Sequence, residues 1–447
     1  MSTAIGKKQM KKINPKLEKL IADGETDHIK IAEQTDAYCP LAWTHLHVSA
    51  IGDVLPCCIG EWKLPFGNIN NQSFDEIWNG EDFKAFRLKM LNDEKVPHCK
   101  GCYKKEETSN WSLRVDAIRK WHKHAIPLID TTEEDGASND SKPIYWDIRF
   151  SNICNMRCRM CGHFSSSRWY NDAKILATDY DEHRYKTKKE QAIVHGVEDS
   201  VKLLDRLDEY LPYVEEFYFA GGEPLIMEEH YRIVKRLDEL GLHNAYLRYS
   251  TNFLQMRYKD LDAIEMWKKF DKVYCAASID TFGARAENIR KDTDWKIIEE
   301  NVKRLKEEAP HVNFGIAPTV QIMNILTVTD LHKDWIEKGY LMPNDMFFNI
   351  LHNPSFYDLQ NLTPNLKKQA TQKLQDHLKW IKAEFPDYNS QPLIDTVTNT
   401  INYMNGKEFN PYDLYDLVNQ TKMLDEIRNE NTFEIFPELS EIWENYS

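Results

Sequence analysis

Three cysteines stand directly after a strand-like run and limit what this part of the chain can form. Cys154, Cys158 and Cys161 follow the apolar segment 145–150. Three thiolates that close on one metal centre leave it one ligand short, whereas a structural zinc site is usually held by four protein ligands. A cubic iron–sulfur cluster on three cysteines presents one iron to an outside molecule. The spacing therefore predicts a metal loop at the end of a strand, either with an open cluster or with a zinc site completed by His163.

The segment around these cysteines alternates between strand-like and helix-like patterns. Between residue 143 and about residue 350, short apolar runs are separated by longer stretches with helical spacing, such as the one that places Ile297, Ile298, Val302 and Leu305 on one face. Repeated strand–helix units predict an α/β fold with a parallel sheet and right-handed crossovers, either open and doubly wound or part of a barrel. The six predicted strands are 145–150, 216–220, 245–250, 273–278, 314–320 and 346–350.

The chain is long enough for several domains, because its 447 residues exceed the usual size of a single one. The stretch 131–142 is acidic and rich in turn-forming residues, with almost nothing apolar to bury, so it reads as a linker. Stretches 364–385 and 412–429 have helical patterns. We predict a basic N-terminal extension (1–35), a cysteine-rich module (36–126), an acidic linker (127–142), an α/β core (143–353) and a C-terminal helical extension (354–447).

Charge and hydropathy argue against several partners. The net charge of −14 opposes broad attraction to nucleic acid, because phosphate-binding proteins carry excess Lys and Arg over the contact face. No apolar run is long enough to span a bilayer, and the N-terminus lacks the apolar core of a signal peptide, so we expect a cytoplasmic protein without a membrane partner. Nine clustered cysteines then indicate metal binding more than disulfides. A basic stretch is compatible with an RNA or membrane contact, but we read it as a frayed, solvated terminus: Lys7, Lys8, Lys11, Lys12, Lys16 and Lys19.

The second predicted strand runs directly into Gly221, Gly222, Glu223 and Pro224. Two glycines let the backbone turn sharply and approach a ligand closely, and the proline stiffens the exit. The carboxylate can accept a hydrogen bond from an ammonium group. Such a run marks an ordinary turn when it stands alone, but one strand after a three-cysteine loop it indicates a ligand site.

Together, the C-x3-C-x2-C loop and the Gly-Gly-Glu run resemble the signature of the radical S-adenosylmethionine (radical SAM) enzymes. The resemblance implies a partial (β/α)6 barrel of the TIM type, in which SAM chelates the open iron of a 4Fe-4S cluster on the three cysteines. It also implies that Gly221, Gly222 and Glu223 contact the amino group of SAM. The residue before the last cysteine is aromatic in most members of the family. Here it is Met160, whose polarisable thioether can make a similar contact.

Polar residues also follow the third and fourth predicted strands. Asn252 ends one strand, and Ser278 and Asp280 end the next, which offers amide, hydroxyl and carboxylate groups to a ribose or an amino-acid head group. Each of them can equally cap the helix that follows. The family resemblance favours SAM contacts for all three. It also implies that Arg290 forms a two-pronged hydrogen bond with the SAM carboxylate, and a surface salt bridge is the alternative for that residue.

A second set of cysteines lies in the N-terminal module. Four thiols are enough for a tetrahedral or cubic metal site, and the module offers them at Cys39, Cys57, Cys99 and Cys102. The module resembles the auxiliary-cluster modules called SPASM or twitch domains, which implies an auxiliary iron–sulfur cluster, although a zinc ribbon needs the same four cysteines. Cys58 is an alternative to Cys57. Such a module follows the radical SAM domain in most relatives, whereas here it precedes it. Cys275, inside the fourth predicted strand, is expected to be a small buried hydrophobe.

The resemblance also implies a function and its partners. Reductive cleavage of SAM would release methionine and a 5′-deoxyadenosyl radical, which takes a hydrogen atom from a peptide, protein or small-molecule substrate. The electron would come from a donor such as flavodoxin or ferredoxin. Modules of the SPASM type most often accompany peptide or protein modification, which favours that substrate class. Two alternatives stay open: an RNA-modifying radical SAM enzyme, and a non-catalytic iron–sulfur or zinc scaffold.

Overall fold

The computed structural model describes residues 11–107, 112–139, 141–179, 191–198 and 207–446. The contacts among these residues group the chain into two compact units. The first unit comprises 1–151, 195–219 and 239–245, and the second comprises 152–194, 220–238 and 246–447. These units follow contacts in space, whereas the predicted segments follow position along the chain. Of the residues used in the sequence analysis, Lys7 and Lys8 lie outside the described residues.

The first unit is built on a sheet that joins the cysteine-rich module to the first predicted strand of the α/β core. β1 (His45–Val48) runs parallel to β4 (Tyr145–Ile148) in register along their whole length. β4 also pairs in parallel with β5 (Glu216–Phe219). The antiparallel strands β2 (Asp53–Leu55) and β3 (Gly67–Asn68) complete the order β5-β4-β1-β2-β3. The pairing of β1 with β4 had no signal in the sequence analysis.

Helices surround this sheet in the first unit. The longest spans eighteen residues, and its N-cap Ser112 accepts a hydrogen bond from the amide of Val115 at 3.2 Å. Val115, Ile118, Trp121 and Ala125 recur at helical spacing and are buried, so one face of this helix belongs to the core. The helices are α1 (Pro15–Ala22), α2 (His28–Gln34), α3 (Leu41–Thr44), α4 (Phe74–Trp78), α5 (Glu81–Leu91), α6 (Lys100–Glu106) and α7 (Leu113–Asp130).

The described part of the acidic stretch 131–142, which is predicted as a linker, is packed within the first unit. Thr132 and Ser141 are buried, and their hydroxyl oxygens accept hydrogen bonds from the indole nitrogens of Trp43 and Trp78 at 2.9 and 3.0 Å. Small polar side chains thus satisfy the two buried tryptophans. Composition could not reveal this role, because it depends on partners that are distant in the sequence.

The second unit contains a parallel sheet of three strands in the order β10-β9-β6, a parallel pair and an antiparallel pair. Its strands are β6 (Tyr246–Thr251), β7 (Arg257–Tyr258), β8 (Leu261–Asp262), β9 (Val273–Ala277), β10 (Asn313–Ile316), β11 (Thr319–Val320) and β12 (Asn349–Ile350). The predicted fifth strand, 314–320, is divided into β10 and β11. Pro318 stands at the division, and a proline has no N–H to donate to a sheet.

Helices follow or separate the strands of the second unit. Three of the four residues of one predicted apolar face, Ile298, Val302 and Leu305, are buried. The fourth, Ile297, is exposed, because it lies beside Ile298 in the sequence and a single helix face cannot hold both. Asp294 caps this helix through the amides of residues 296 and 297. The helices from residue 170 onwards are α8 (Tyr170–Asp179), α9 (Glu228–Glu239), α10 (Ala263–Trp267), α11 (Gly283–Ile289), α12 (Trp295–Glu308), α13 (Val328–Glu337), α14 (Pro364–Glu384), α15 (Gln391–Asn405), α16 (Pro411–Arg428), α17 (Thr432–Ile435) and α18 (Ser440–Asn445).

The C-terminal extension is helical, as predicted. α14 begins with Pro364 after the cap Thr363, and α16 begins with Pro411 after the cap Asn410, which is the preferred start of a helix. α15 lies between them and was not predicted. The predicted fold class, an α/β core with parallel strands between a cysteine-rich module and C-terminal helices, is confirmed. Among the helices of the described residues, none has the length and apolar content that a membrane crossing needs.

Candidate active site

The three cysteines of the C-x3-C-x2-C loop, which we call the metal loop (residues 154–161), lie together in the second unit. The amide of Cys161 donates to the carbonyl of Cys158 at 3.0 Å, which forms a tight turn. The thiols of Cys158 and Cys161 are close enough for each to shift the pKa of the other. Cys158 is buried, and Cys154 and Cys161 are half-buried. The loop therefore offers three sulfur donors from one short segment.

The Gly-Gly-Glu run packs against the residue that precedes the metal loop. Gly221 and Gly222 have positive φ values of 82° and 56°. A Cβ added at Gly222 would meet the carbonyl oxygen of Ile153 at 2.3 Å, and the amide of Glu223 donates to the same oxygen at 2.7 Å. Only glycine permits this approach. The two sequence motifs thus form one hydrogen-bonded junction.

The carboxylate of Glu223 is buried within this junction. Its Oε1 accepts from the hydroxyl of Thr251 at 2.6 Å and the amide of Leu225 at 3.1 Å, and its Oε2 accepts from the amide of Asn252 at 2.7 Å. Burial raises the pKa of Glu223 to about 7, although the three donors favour the ionised form. The carboxylate therefore connects the Gly-Gly-Glu run to the end of β6.

Asn252 connects the end of β6 to the metal loop. Its side-chain nitrogen donates to Oδ1 of Asn155 at 2.6 Å, and its own Oδ1 accepts from the amide of Leu254 at 3.1 Å. The residue thus caps the following turn and also reaches the loop. The amide of Ser278 donates to the carbonyl of Thr251 at 2.7 Å. The predicted residues Asn252 and Ser278 therefore lie at the ends of the neighbouring parallel strands β6 and β9.

Asp280 and Arg290 form a two-pronged ion pair beside the metal loop. The guanidinium Nε and Nη2 donate to Oδ2 and Oδ1 of Asp280 at 2.8 and 2.9 Å, while Nη1 donates to the sulfur of Cys158 at 3.7 Å. Asp280 also accepts from the amide of Thr319 at 2.8 Å. Arg290 is therefore held at a thiol of the loop and not in a surface salt bridge.

The electrostatics of the loop suit a metal centre. Burial raises the pKa of Cys154 to about 12. The contact between Cys158 and Cys161 lowers the pKa of Cys158 and raises that of Cys161, and Arg290 also favours the thiolate of Cys158. Crowded, buried thiolates need positive charge nearby, which a bound metal supplies. The three donors therefore fit a cluster that is held by three cysteines.

The four predicted ligands of the N-terminal module line one cavity in the first unit. Cys57 lies on the cavity wall, and Cys58 is not among the residues that form it. Arg114 also lines the cavity, and its guanidinium is paired with Glu106 at 2.5 Å. Burial raises the pKa of each of the four thiols, so they would ionise only if a metal displaced their protons: Cys39, Cys57, Cys99 and Cys102.

The donor positions bear on the zinc alternatives. A tetrahedral zinc site with Zn–S bonds of ~2.3 Å needs sulfurs ~3.8 Å apart. Among the described residues, neither cysteine set brings three donor atoms within 4.8 Å of one another, with or without His163. Nε2 of His163 lies 2.8 Å from the carbonyl oxygen of Ala192. In this arrangement, the described side chains therefore do not form a closed zinc site at either set.

Two family comparisons match the two cysteine sets. Residues 148–332 match the radical SAM superfamily, and residues 39–103 match SPASM, an iron–sulfur cluster-binding domain. The chain thus contains a radical SAM domain. The predicted radical SAM core and its N-terminal SPASM module are confirmed by these two matches. No curated protein sequence matches this chain.

Several solved structures are similar to this chain. One is anSMEcpe with bound AdoMet and Cp18Cys peptide, at 18% identity, a TM-score of 0.34 and coverage of 55% of this chain and 60% of that one. Another is Streptococcus suis SuiB bound to its precursor peptide SuiA, at 12% identity, a TM-score of 0.35 and coverage of 70% and 62%. A third is TYW1 with a lysine–pyruvate adduct, at 12% identity, a TM-score of 0.27 and coverage of 54% and 71%. The chain therefore spans less than two thirds of the length of anSMEcpe and SuiB.

Sequence reasoning missed a buried polar group in the first unit. His45 and His47 on β1 face Asp147 on β4, and their ligand atoms lie within 4.8 Å of one another. Arg149 binds both carboxylate oxygens of Asp147, at 2.7 and 2.9 Å, and so neutralises the charge that a metal ion would need. The available signal was the alternation His-x-His and Asp-x-Arg in two strand-like runs, which places each pair on one face of a strand.

We expect Asp147→Asn to destabilise the first unit by about 3 kcal/mol, because it leaves the Arg149 guanidinium without its charged partner. Burial acts to raise the pKa of Asp147, but Arg149 and His47 outweigh it and hold that pKa well below its usual range. A carboxyl group whose pKa is lowered by folding stabilises the protein fully at pH values above its pKa in the unfolded state. This stabilisation is lost as the pH falls towards and through its pKa in the folded state. The difference in unfolding free energy between wild type and variant, measured by chemical denaturation, should therefore be largest at pH 7 and decrease below pH ~4.

Asp116→Asn is the matched control for this prediction, because Asp116 is partly exposed and pairs with Arg119 and Lys120 of its own helix. We expect it to change the unfolding free energy by less than ~1 kcal/mol. Equal effects of the two substitutions would contradict a structural role for the buried pair.

Proposed function

We propose that this protein cleaves SAM reductively and uses the resulting radical to take a hydrogen atom from a peptide or protein substrate. The observation that carries the proposal is the junction at Ile153, where the Gly-Gly-Glu run meets the metal loop through the amide of Glu223 at 2.7 Å. In this arrangement the residues that would hold the cluster and those that would hold SAM are fixed to each other. A domain of the radical SAM superfamily contains both.

Cys154, Cys158 and Cys161 would hold the cluster in this proposal. When bound, a 4Fe-4S cluster with one free iron would supply the electron that splits the sulfonium of SAM into methionine and a 5′-deoxyadenosyl radical. The donation from Arg290 to the Cys158 sulfur at 3.7 Å would stabilise that thiolate.

The neighbouring strand ends would hold SAM. Gly221 and Gly222 bring their backbone close to the metal loop, so they would present polar groups to the amino end of SAM. Asn252 and Ser278, at the ends of two adjacent strands, would serve as further contacts. The pair of Asp280 and Arg290 would orient the carboxylate of SAM through the Nη1 edge that faces the loop.

The SPASM module supports a peptide or protein as the substrate, since modules that resemble it most often accompany modification of peptides and proteins. Cys39, Cys57, Cys99 and Cys102 would hold its auxiliary cluster in the cavity that they line. Auxiliary clusters in similar enzymes accept an electron from the substrate radical or help to position the substrate. A flavodoxin or ferredoxin would supply the electron for SAM cleavage.

The experiment that tests the function is anaerobic reconstitution with iron and sulfide, followed by reduction with dithionite in the presence of SAM. We expect 5′-deoxyadenosine and methionine to form in equal amounts. A protein that binds iron at both sites but yields neither product would be a scaffold, and the proposed function would be wrong. A screen of candidate peptides for a mass change would then define the substrate.

We expect the combined Cys99→Ala and Cys102→Ala variant to lose about one cluster's iron while it still cleaves SAM. The two residues line the cavity of the first unit, and the metal loop belongs to the second unit, whose ligands stay intact. Iron analysis with the 5′-deoxyadenosine assay checks this. Loss of SAM cleavage in a variant that keeps a normal metal-loop cluster would contradict an auxiliary role.

A further inference from the structure

An arginine inside the metal loop is held by acidic residues from the C-terminal extension. The side chain of Arg159, between Cys158 and Cys161, is 0% exposed. Its Nη2 contacts Oδ1 of Asp425 at 2.5 Å and Oε2 of Glu430 at 2.8 Å, and these residues follow it by 266 and 271 positions. A buried guanidinium that loses its acidic partners is strongly destabilising. The C-terminal acids are therefore what permits a charged residue at this place in the loop.

Trp169 provides a second connection between helix α16, which carries Asp425, and the metal loop. The indole nitrogen of Trp169 donates to the carbonyl of Cys158 at 2.9 Å. The guanidinium of Arg428 lies 4.8 Å from the centre of the Trp169 ring, and its Nε donates to Asp172 at 2.9 Å. Leu424 packs in the same apolar cluster as Trp169. The last two turns of α16 thus pack against the Trp169 side chain, whose indole N–H binds the carbonyl of Cys158.

The backbone of the loop is also bound by the end of α11 and the residues that follow it. The amide of Arg159 donates to the carbonyl of Ile289 at 2.8 Å, and the amide of Arg157 donates to the carbonyl of Lys291 at 2.9 Å. Glu430 reaches this segment too, because its Oε1 pairs with Lys291 at 3.0 Å. The middle of the metal loop is therefore bound by two segments, residues 289–291 and residues 425–430. Glu430 pairs both with Arg159 of the loop and with Lys291 of the other segment.

We propose that residues 424–432 are a positioning element for the metal loop, which holds the cluster ligands Cys158 and Cys161 through Arg159 and Trp169. This inference rests on the proposed function, because it requires a cluster on the loop. The match to the radical SAM superfamily ends at residue 332, so this element lies beyond the matched residues. It gives the C-terminal extension a role in cluster retention and in the cluster's reduction potential.

Two effects follow from the charges in this element. If Asp425 is neutralised, Arg159 loses one charged hydrogen bond, so the loop opens more often and releases iron faster. The positive charge of Arg159 is then less compensated beside the cluster. Since reduction adds negative charge, the reduced cluster gains stability and its midpoint potential becomes more positive.

Asp425→Asn and Glu430→Gln, prepared in the full-length chain and reconstituted anaerobically, test the inference. We expect each to speed iron release to a chelator by about tenfold, the equivalent of one charged hydrogen bond. SAM ligates the open iron, so the part of the EPR signal that SAM perturbs reports this cluster alone. Its midpoint potential should shift in the positive direction. Glu426→Gln is the matched control, because Glu426 is an exposed acid on the same helix.

Substitutions of Arg159 separate positioning from general stability. Arg159→Lys keeps the charge and should retain most of the iron, whereas Arg159→Met should release it quickly. Arg159→Met combined with Asp425→Asn should release iron no faster than Arg159→Met alone, since residues that act as a pair are not additive. Additive effects in the double variant would overturn the inference. So would iron release at the wild-type rate together with an unchanged midpoint potential in both acid variants. In either case, SAM cleavage by the wild type would still support the proposed function. A wild-type chain without iron on the metal loop would instead refute the proposed function.

Discussion

Cys158→Ala is expected to abolish SAM cleavage. Cys158 is the buried member of the metal loop, it contacts the thiol of Cys161, and it accepts a hydrogen bond from Arg290. Removal of a residue that supports a metal ligand already lowers metal affinity or activity 10- to 100-fold, so removal of the ligand itself should lower the rate of 5′-deoxyadenosine formation by more than ~100-fold. The iron content should fall by about one cluster, and the iron of the N-terminal module should remain.

Cys275→Ala is the matched control, because Cys275 lies fully buried inside β9 and is a cysteine outside both ligand sets. It should retain both clusters and near-normal SAM cleavage, with a loss of stability of about 1 kcal/mol from the smaller side chain. Unchanged SAM cleavage by Cys158→Ala would refute the assignment of the catalytic cluster to the metal loop. Equal loss in the two variants would point to general misfolding.

The sequence predicted those parts of the site that are encoded by short spacings. The three cysteines lie within eight residues of one another, and the Gly-Gly-Glu run directly follows a strand, so each motif could be recognised without knowledge of the fold. The alternation of strands and helices then predicted that both motifs would lie at the ends of parallel strands. The contact of Glu223 with Ile153 follows from that arrangement, although its hydrogen bond at 2.7 Å could not be read from spacing.

Features that depend on residues distant in the chain could not be predicted in the same way. Arg159 reads as an exposed charge in a polar loop, and its burial becomes apparent only with Asp425, 266 positions later. Asp147 likewise needs His47 from a strand of the cysteine-rich module, whose parallel pairing with β4 has no local signal. In a single sequence, such a residue is visible only as a charge inside an apolar run, and its partner cannot be identified. These residues are therefore where structure adds most to the functional interpretation.

Gly222→Ala should have an effect nearly as large as loss of a cluster ligand. The new Cβ would stand 2.3 Å from the carbonyl oxygen of Ile153, so the backbone beside Cys154 has to move. A displacement of about 1 Å in a reacting geometry lowers a rate by ~100-fold. We therefore expect SAM cleavage to fall by about that factor, and the affinity for SAM, measured by its effect on the EPR signal, to fall with it.

Gly339→Ala separates this collision from ordinary backbone strain. Gly339 also has a positive φ, 74°, but a Cβ there would meet no atom within 4 Å. Both substitutions carry the penalty of a left-handed residue, about 1–2 kcal/mol, and only Gly222→Ala displaces the metal loop. The two variants should therefore show similar losses of thermal stability from strain, with SAM cleavage retained in Gly339→Ala alone. If both lose activity in proportion to their stability, the junction of the two motifs is not what places SAM at the cluster.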